Sequence, residues 1–133
     1  MDLFSQEPDL SPLSFDEVKA IAEKCTRCRL HETRSKVVFG NGPVPSDLLL
    51  IGEGPGAEED LQGLPFVGRA GQLLTQILSS VEINRPEDIY IANTVKCRPP
   101  NNRAPLSDEQ AACAPYLAVQ LKFVKPKIIL LIF

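Results

Sequence analysis

The sequence predicts an α/β fold of three layers, in which a central parallel sheet carries helices on both faces. Three short apolar runs, at residues 47–52, 89–93 and 127–133, read as strands, and the first two have the composition of strands buried on both faces. Segments with helical periodicity separate the runs, and this order implies parallel pairing. With 133 residues, 44% of them hydrophobic, the chain can form one domain with its own core.

Local signals predict the first elements of the chain. Residues 1–13 are polar and contain prolines, and we expect a flexible segment there, ahead of a domain that spans 14–133. Ser14 and Glu17 match a capping box with Ser14 as the N-cap. They predict a short helix that leads to Cys25.

Two longer helices are predicted between the apolar runs. The first spans residues 68–81, and four aliphatic side chains at helical spacing form its expected buried side: Leu73, Leu74, Ile77 and Leu78. The second opens at Ser107, its expected cap, and continues through Cys113 and Leu121. The chain then stops at Phe133, inside its last apolar run. We therefore expect a domain that is incomplete at its C-terminus, with an exposed strand that favours association.

The composition limits the range of functions. A formal net charge of −3 at pH 7 argues against binding of nucleic acid through bulk charge, although it leaves room for a local basic patch. No apolar stretch is long enough to cross a bilayer. No secretory signal is visible, and we expect the chain to work in the cytoplasm.

Four cysteines are the most distinctive chemical feature: Cys25, Cys28, Cys97 and Cys113. Four thiolates complete one tetrahedral zinc site or one cubic iron–sulfur cluster. Structural zinc sites favour two close pairs, whereas Cys97 and Cys113 lie far apart, so the spacing favours a cluster. His31 could replace one thiolate on zinc. Disulfides and ordinary buried thiols are the alternatives, and a reducing cytosol disfavours the disulfides.

Ligand-binding loops of a parallel sheet follow the carboxyl ends of its strands. After the first strand, Gly52, Gly54 and Gly56 allow the backbone to approach a ligand closely, and Pro55 stiffens the turn. The run also fits the dinucleotide fingerprint G-x-G-x-x-A. The carboxylates at 58–60 would, however, repel a pyrophosphate. A tight turn with solvated acids is the simpler alternative.

The second strand leads into a polar, basic loop. Asn93 ends the strand, where its amide offers a donor and an acceptor to a base edge, or else terminates the strand by local hydrogen bonds. Lys96, Arg98 and Arg103 follow it and form the densest cationic stretch near a ligand-facing loop. Such a stretch suits phosphates, or it is a solvated loop.

Four motifs together resemble the iron–sulfur, family 4 uracil-DNA glycosylases. Besides Cys25 and Cys28, they are GEGPGAEED at 52–60, LPFVGRAG at 64–71 and NTVKCRPPNNR at 93–103. The motifs agree with the family in order and spacing, and the resemblance runs from about Cys25 to the end of the chain.

The resemblance implies a uracil-DNA glycosylase-like fold and a DNA-repair hydrolase. Such an enzyme cleaves the N-glycosidic bond of uracil in DNA, releases free uracil and leaves an abasic site. Phe66 would stack on the extruded uracil and Asn93 would hydrogen-bond its edge, while Glu53 and Gly54 would line the pocket and help to place the attacking water. The resemblance also implies a [4Fe–4S] cluster, and its ligands would be Cys25, Cys28, Cys97 and Cys113.

The same resemblance makes uracil-containing DNA the expected partner, with candidate contacts at Lys96, Arg98 and Arg103. Family members carry a second active-site motif, a histidine followed by proline, in their C-terminal third. The one histidine of this sequence, His31, lies near the N-terminus, and we expect the chain to lack that motif. Two alternatives stay open: a non-catalytic iron–sulfur module that binds uracil or single-stranded DNA, and a zinc-stapled interaction domain.

Overall fold

The protein is described by a computed structural model that covers residues 9–133. Three parallel strands form one sheet in the order β2-β1-β3: β1 (Leu48–Gly52), β2 (Tyr90–Asn93) and β3 (Ile128–Leu131). Four α-helices connect and flank them: α1 (Phe15–Glu23), α2 (Ala57–Gln62), α3 (Arg69–Ser80) and α4 (Ser107–Val124). Single 3₁₀ turns lie at Arg29–Glu32 and Pro100–Asn102. The predicted α/β class with a central parallel sheet is confirmed.

Side chains of β1 alternate between two packed faces, as the pleat of a strand requires. Leu50 belongs to a cluster with Leu74 and Leu78 of α3 on one face. Leu49 belongs to a cluster with Val124 of α4 on the opposite face. Helices therefore cover the sheet on both sides, which gives the predicted three layers.

The predicted cap of the first helix is confirmed, whereas that of the last helix is wrong by one residue. The Ser14 hydroxyl accepts from the Glu17 amide at 3.1 Å, and the Glu17 carboxylate accepts from the Ser14 amide at 3.0 Å. At α4 the cap is Leu106 rather than Ser107. Its amide donates to the Glu109 carboxylate at 2.8 Å, so the glutamate, and not a serine hydroxyl, satisfies this helix end.

The predicted buried side of α3 is half wrong. Leu74 and Leu78 are buried, but Leu73 and Ile77 are 57% and 55% exposed. The sheet has three short strands, and α3 meets it along a narrow line of residues. The neighbouring pair of aliphatic side chains is therefore left mostly exposed.

The two ends of the chain differ in burial. Residues 1–8, most of the segment expected to be flexible, lie outside the described residues. Leu10 is buried in a cluster that includes Val18. The aliphatic side chains of β3 are exposed by 39–63%, because β3 pairs with β1 on one side and no helix covers it in the described structure. Across residues 9–133, no helix combines the length and the apolarity needed to cross a membrane.

Two neighbouring leucines of α3 provide a matched test of this packing. We expect Leu74→Ala to lower the free energy of unfolding by about 2–5 kcal/mol, because it opens a cavity in the core. Leu73→Ala should cost below about 1 kcal/mol, because its side chain is exposed. Urea unfolding followed by circular dichroism measures both. Equal losses would show that Leu73 is covered.

Candidate functional site

The carboxyl ends of β1 and β2 meet at the candidate site. Parallel pairing places Gly52 opposite Asn93. The loops that follow stay joined, since the Thr94 amide donates to the Gly52 carbonyl at 2.9 Å and the Thr94 hydroxyl donates to the Glu53 carbonyl at 2.7 Å. The two loops selected from the sequence therefore form one unit.

A cavity of about 130 Å³ opens at this point, and its lining residues are Gly54, Glu59, Phe66, Ala70, Gly71 and Asn93. Asn93 is 2% exposed, and its Oδ1 has no hydrogen-bond partner among the described residues. A buried amide oxygen without a donor is costly unless a ligand supplies one. A Cβ on Gly52 would lie 2.5 Å from both Asn93 Oδ1 and the Phe66 ring, so a glycine is needed here.

Phe66 has an unusual backbone. Its φ of 52° lies in the left-handed region, which bulky residues rarely adopt. Gly71 makes room for it, because a Cβ there would overlap the Phe66 carbonyl. Such local strain persists where the surroundings hold it, and it is frequent at functional sites.

Sequence reasoning missed Glu59, whose hydrogen bonds hold the loop of Phe66 in place. Glu59 Oε2 accepts from the amides of Val67 and Gly68 at 2.9 and 2.7 Å, and Oε1 accepts from the Gly56 amide at 2.9 Å. The carboxylate thus ties the glycine-rich loop to the loop of Phe66. Its position within a run of three acids was the available signal, but the sequence alone does not distinguish it from Glu58 and Asp60.

Glu53 lies beside the cavity rather than in it. It lines a groove of about 190 Å³ together with Gly54, Pro99 and Arg103 among others. Gly54 lines both spaces and is the point where they adjoin. Phe66, Asn93 and Gly54 are therefore brought together as expected, and Glu53 is their neighbour.

Lys96 is not a surface contact, and this expectation was wrong. It is 2% exposed, and its Nζ donates to the Asn93 carbonyl at 2.7 Å and to Gln120 Oε1 at 2.6 Å. The ammonium also lies 5.7 Å from the centroid of the Phe39 ring. Burial lowers the pKa of Lys96 to about 8. Its hydrogen bonds place it inside the protein, where it supports the Asn93 backbone.

The two arginines of the basic loop differ. Arg103 donates from both Nη atoms to the carboxylate of Glu109, at 2.8 and 2.9 Å, and this pairing lowers the pKa of Glu109. The guanidinium pairs with a fully buried carboxylate but is itself 33% exposed, so contact with DNA stays a prediction for Arg103. Arg98 donates to Asn102 Oδ1 at 2.8 Å and is partly exposed, so it stays a candidate for phosphate.

All four cysteines line one small cavity of about 20 Å³, together with residues of α1, α4 and the loop after β2. The thiols are free. Arg34 donates to Cys97 Sγ at 3.3 Å, and the Arg27 amide donates to Cys25 Sγ at 3.5 Å. Burial raises the pKa of the Cys113 thiol to about 11. Cationic charge is needed to ionise such thiols, and a bound metal would supply it.

No three potential ligands among His, Cys, Asp and Glu are close enough to share one metal ion within residues 9–133. His31 lines the cysteine cavity, and its Nδ1 lies 2.7 Å from the Cys28 carbonyl oxygen. This contact with the Cys28 carbonyl fixes the position of the His31 ring.

Comparison with known proteins identifies the family of the chain. The family model of the uracil DNA glycosylase superfamily matches residues 39–132. The chain belongs to this superfamily. The resemblance inferred from the motifs is confirmed by relatives of the type-4 class.

Three curated relatives, each named a type-4 uracil-DNA glycosylase, are similar over most of the chain. The Thermotoga maritima protein is 53% identical over 107 residues, which are 80% of this chain and 55% of that protein. The Archaeoglobus fulgidus protein is 45% identical over 87% of this chain and 58% of its own length. The Saccharolobus solfataricus protein is 46% identical over 86% and 51%. The chain therefore spans about half the length of these relatives.

Gly71 offers a test of the close approach at Phe66. Alanine in place of glycine normally stabilises a helix interior by about 0.5–1 kcal/mol. We expect Gly71→Ala instead to destabilise the protein by about 1–3 kcal/mol, because the new methyl overlaps the Phe66 carbonyl. Thermal unfolding measures the change, with the exposed Gln76→Ala on the same helix as control. A stabilised Gly71→Ala protein would contradict this view of the loop.

Proposed function

We propose that this superfamily member binds uracil extruded from DNA and supports hydrolysis of its N-glycosidic bond. The observation that carries this proposal is the buried, unpartnered Oδ1 of Asn93 in a cavity that Phe66 also lines. An enzyme that acts on a base must take it out of the duplex and hold it by stacking and by contacts to its edge. The cavity offers both types of contact.

The polar edge of uracil suits this cavity. Uracil has an N3–H donor next to the O4 acceptor, and an asparagine amide presents an acceptor next to a donor. Cytosine has an acceptor at N3 and a donor at the exocyclic group, so its edge mismatches the same amide orientation. Because Lys96 holds the Asn93 carbonyl at 2.7 Å, the backbone that carries the amide is fixed before the base arrives.

The chemistry requires charge stabilisation at two points. The bond between sugar C1′ and uracil N1 breaks, and its electron pair leaves with the base. Water then adds to C1′ and loses a proton, and the uracil anion takes up a proton to leave as neutral uracil. In our proposal Asn93 stabilises the developing charge on the uracil, while the Glu53 carboxylate, in the adjoining groove, orients the water and favours positive charge on the sugar.

We further propose that the four cysteines hold a [4Fe–4S] cluster. The donor set fits, because four free thiols line one cavity and two of them accept N–H hydrogen bonds. A tetrahedral zinc would require sulfurs about 3.8 Å apart around one ion. Structural zinc sites favour two close pairs of cysteines, whereas Cys97 and Cys113 lie far apart in the sequence, so the spacing favours a cluster. The cluster would be structural, since hydrolysis needs no redox step.

Uracil-containing DNA is the proposed partner. Arg98 lies on the loop that borders the groove of Glu53 and is partly exposed, so it can meet a phosphate. The reduced cysteines of such a site suit the cytoplasm, which we propose as the compartment.

Release of free uracil tests the function directly. A uracil-containing oligonucleotide is incubated with anaerobically purified protein, either the 133-residue chain or the longer gene product where there is one. Uracil release with an abasic product supports the glycosylase. Retention of the oligonucleotide without release supports the non-catalytic binding module instead. With a matched cytosine oligonucleotide we expect neither base release nor retention.

Asn93→Ala should lower the rate of uracil release by about a hundred-fold or more, since the loss of one transition-state donor typically costs that much. Gln76→Ala, an exposed amide on α3, is the control and should retain the full rate. Single-turnover kinetics with excess protein measure both. A mild effect of Asn93→Ala would refute the assignment of the base-reading residue.

Cysteine substitution tests the metal centre. We expect Cys97→Ser and Cys113→Ser to lose the visible absorbance of an iron–sulfur cluster and to unfold more easily, because the cluster joins distant parts of the chain. Thr26→Ala, between the close pair of cysteines, should retain colour and four irons per chain. Colourless wild-type protein with one zinc per chain would instead support the zinc-stapled alternative.

A further inference from the structure

A second side of the Phe66 loop is held by a residue outside every motif identified in the sequence. Arg85 Nη1 donates to the Phe66 carbonyl at 2.8 Å, and Arg85 Nη2 donates to the Pro65 carbonyl at 2.9 Å. Two successive carbonyls are thus bound by the two ends of one planar fork. The single ammonium of a lysine cannot reproduce this pairing.

The Arg85 side chain is itself anchored to α3. Nη1 also donates to Thr75 Oγ1 at 3.1 Å, and the Thr75 hydroxyl donates to the Gly71 carbonyl at 3.0 Å. Arg85 forms no ion pair with a carboxylate in the described part of the chain. Its hydrogen bonds therefore go to the backbone of the Phe66 loop and to the helix that supports that loop.

The loop needs such support because of its conformation. Phe66 has φ near 52°, and an unrestrained bulky residue would return to negative φ. That rotation would move the ring away from Asn93, with which it lines the cavity. Glu59 binds the amides that follow Phe66, and Arg85 binds the carbonyls at and before it. The Glu59 carboxylate and the Arg85 guanidinium thus hold the backbone on the two sides of Phe66.

We propose that Arg85 is a positioning residue, which holds the ring of Phe66 in the orientation that stacks on a planar base. The loop before β2 would then determine how tightly the cavity holds the base, although it contributes no atom to the cavity lining. The consequence for catalysis rests on the proposed function, whereas the effect on the loop does not.

Amide hydrogen exchange and uracil release test the two parts separately. In Arg85→Gln we expect exchange of residues 64–68 to rise at least about ten-fold while β1 stays protected. We expect uracil release and inhibition by free uracil to weaken about ten- to a hundred-fold, because a misplaced contact group costs that much. Lys19→Gln, on the exposed side of α1, is the control and should change neither.

A double-mutant cycle distinguishes positioning from general destabilisation. If Arg85 acts through the aromatic ring, Arg85→Gln should add no further loss of uracil release to Phe66→Ala. Additive losses would overturn the proposal, and so would unchanged exchange of residues 64–68 in Arg85→Gln.

Milder variants preserve the test if Arg85→Gln does not fold. Arg85→Lys keeps the charge but not the fork, and Thr75→Val removes one anchor, so both should give intermediate increases in exchange of residues 64–68. Wild-type-like exchange in both would overturn the proposal. If the wild-type protein releases no uracil, the proposed function fails, while exchange of this segment still decides whether Arg85 holds the loop.

Discussion

The parallel pairing of β1 with β2 is the constraint on which the rest of the site depends. It places Gly52 opposite Asn93. The asparagine amide and the Phe66 ring occupy the space that a Cβ on Gly52 would need. The loops after both strands then begin side by side and bond to each other through Thr94. A shift in register would separate the amide, the ring and the glycine-rich turn together.

Three charged side chains around the site form hydrogen bonds to backbone groups. Glu59 binds three amides, Arg85 binds two carbonyls, and Lys96 binds the carbonyl of Asn93. Charge-assisted hydrogen bonds are stronger than neutral ones, and they hold loops that have no regular structure. The protein can therefore position a strained aromatic residue on a loop next to a buried amide at the end of β2.

Hydrogen bonds of Lys96 connect the cysteine cavity to the cavity that Asn93 and Phe66 line. Lys96 precedes Cys97 in sequence, yet its Nζ donates to the Asn93 carbonyl and to Gln120 of α4. A metal centre that orders the loop of Cys97 would thereby also order the strand end that carries the amide. In the proposed function this link would give the cluster a structural role, because the hydrolysis transfers no electrons.

The sequence by itself determined the order of the strands and of the longer helices, the glycine-rich turn and the four thiols, because periodicity and motif spacing are local properties. The pairing of Phe66 with Asn93 was implied only by the family resemblance, and the short helix α2 was not predicted. Tertiary structure alone decided which charged and apolar side chains face water. Lys96 and Arg98 stand two residues apart in one basic stretch, but one is buried and the other partly exposed. Likewise, Leu73 is exposed beside the buried Leu74. Burial depends on which distant elements pack against a residue, and a local pattern does not contain that information.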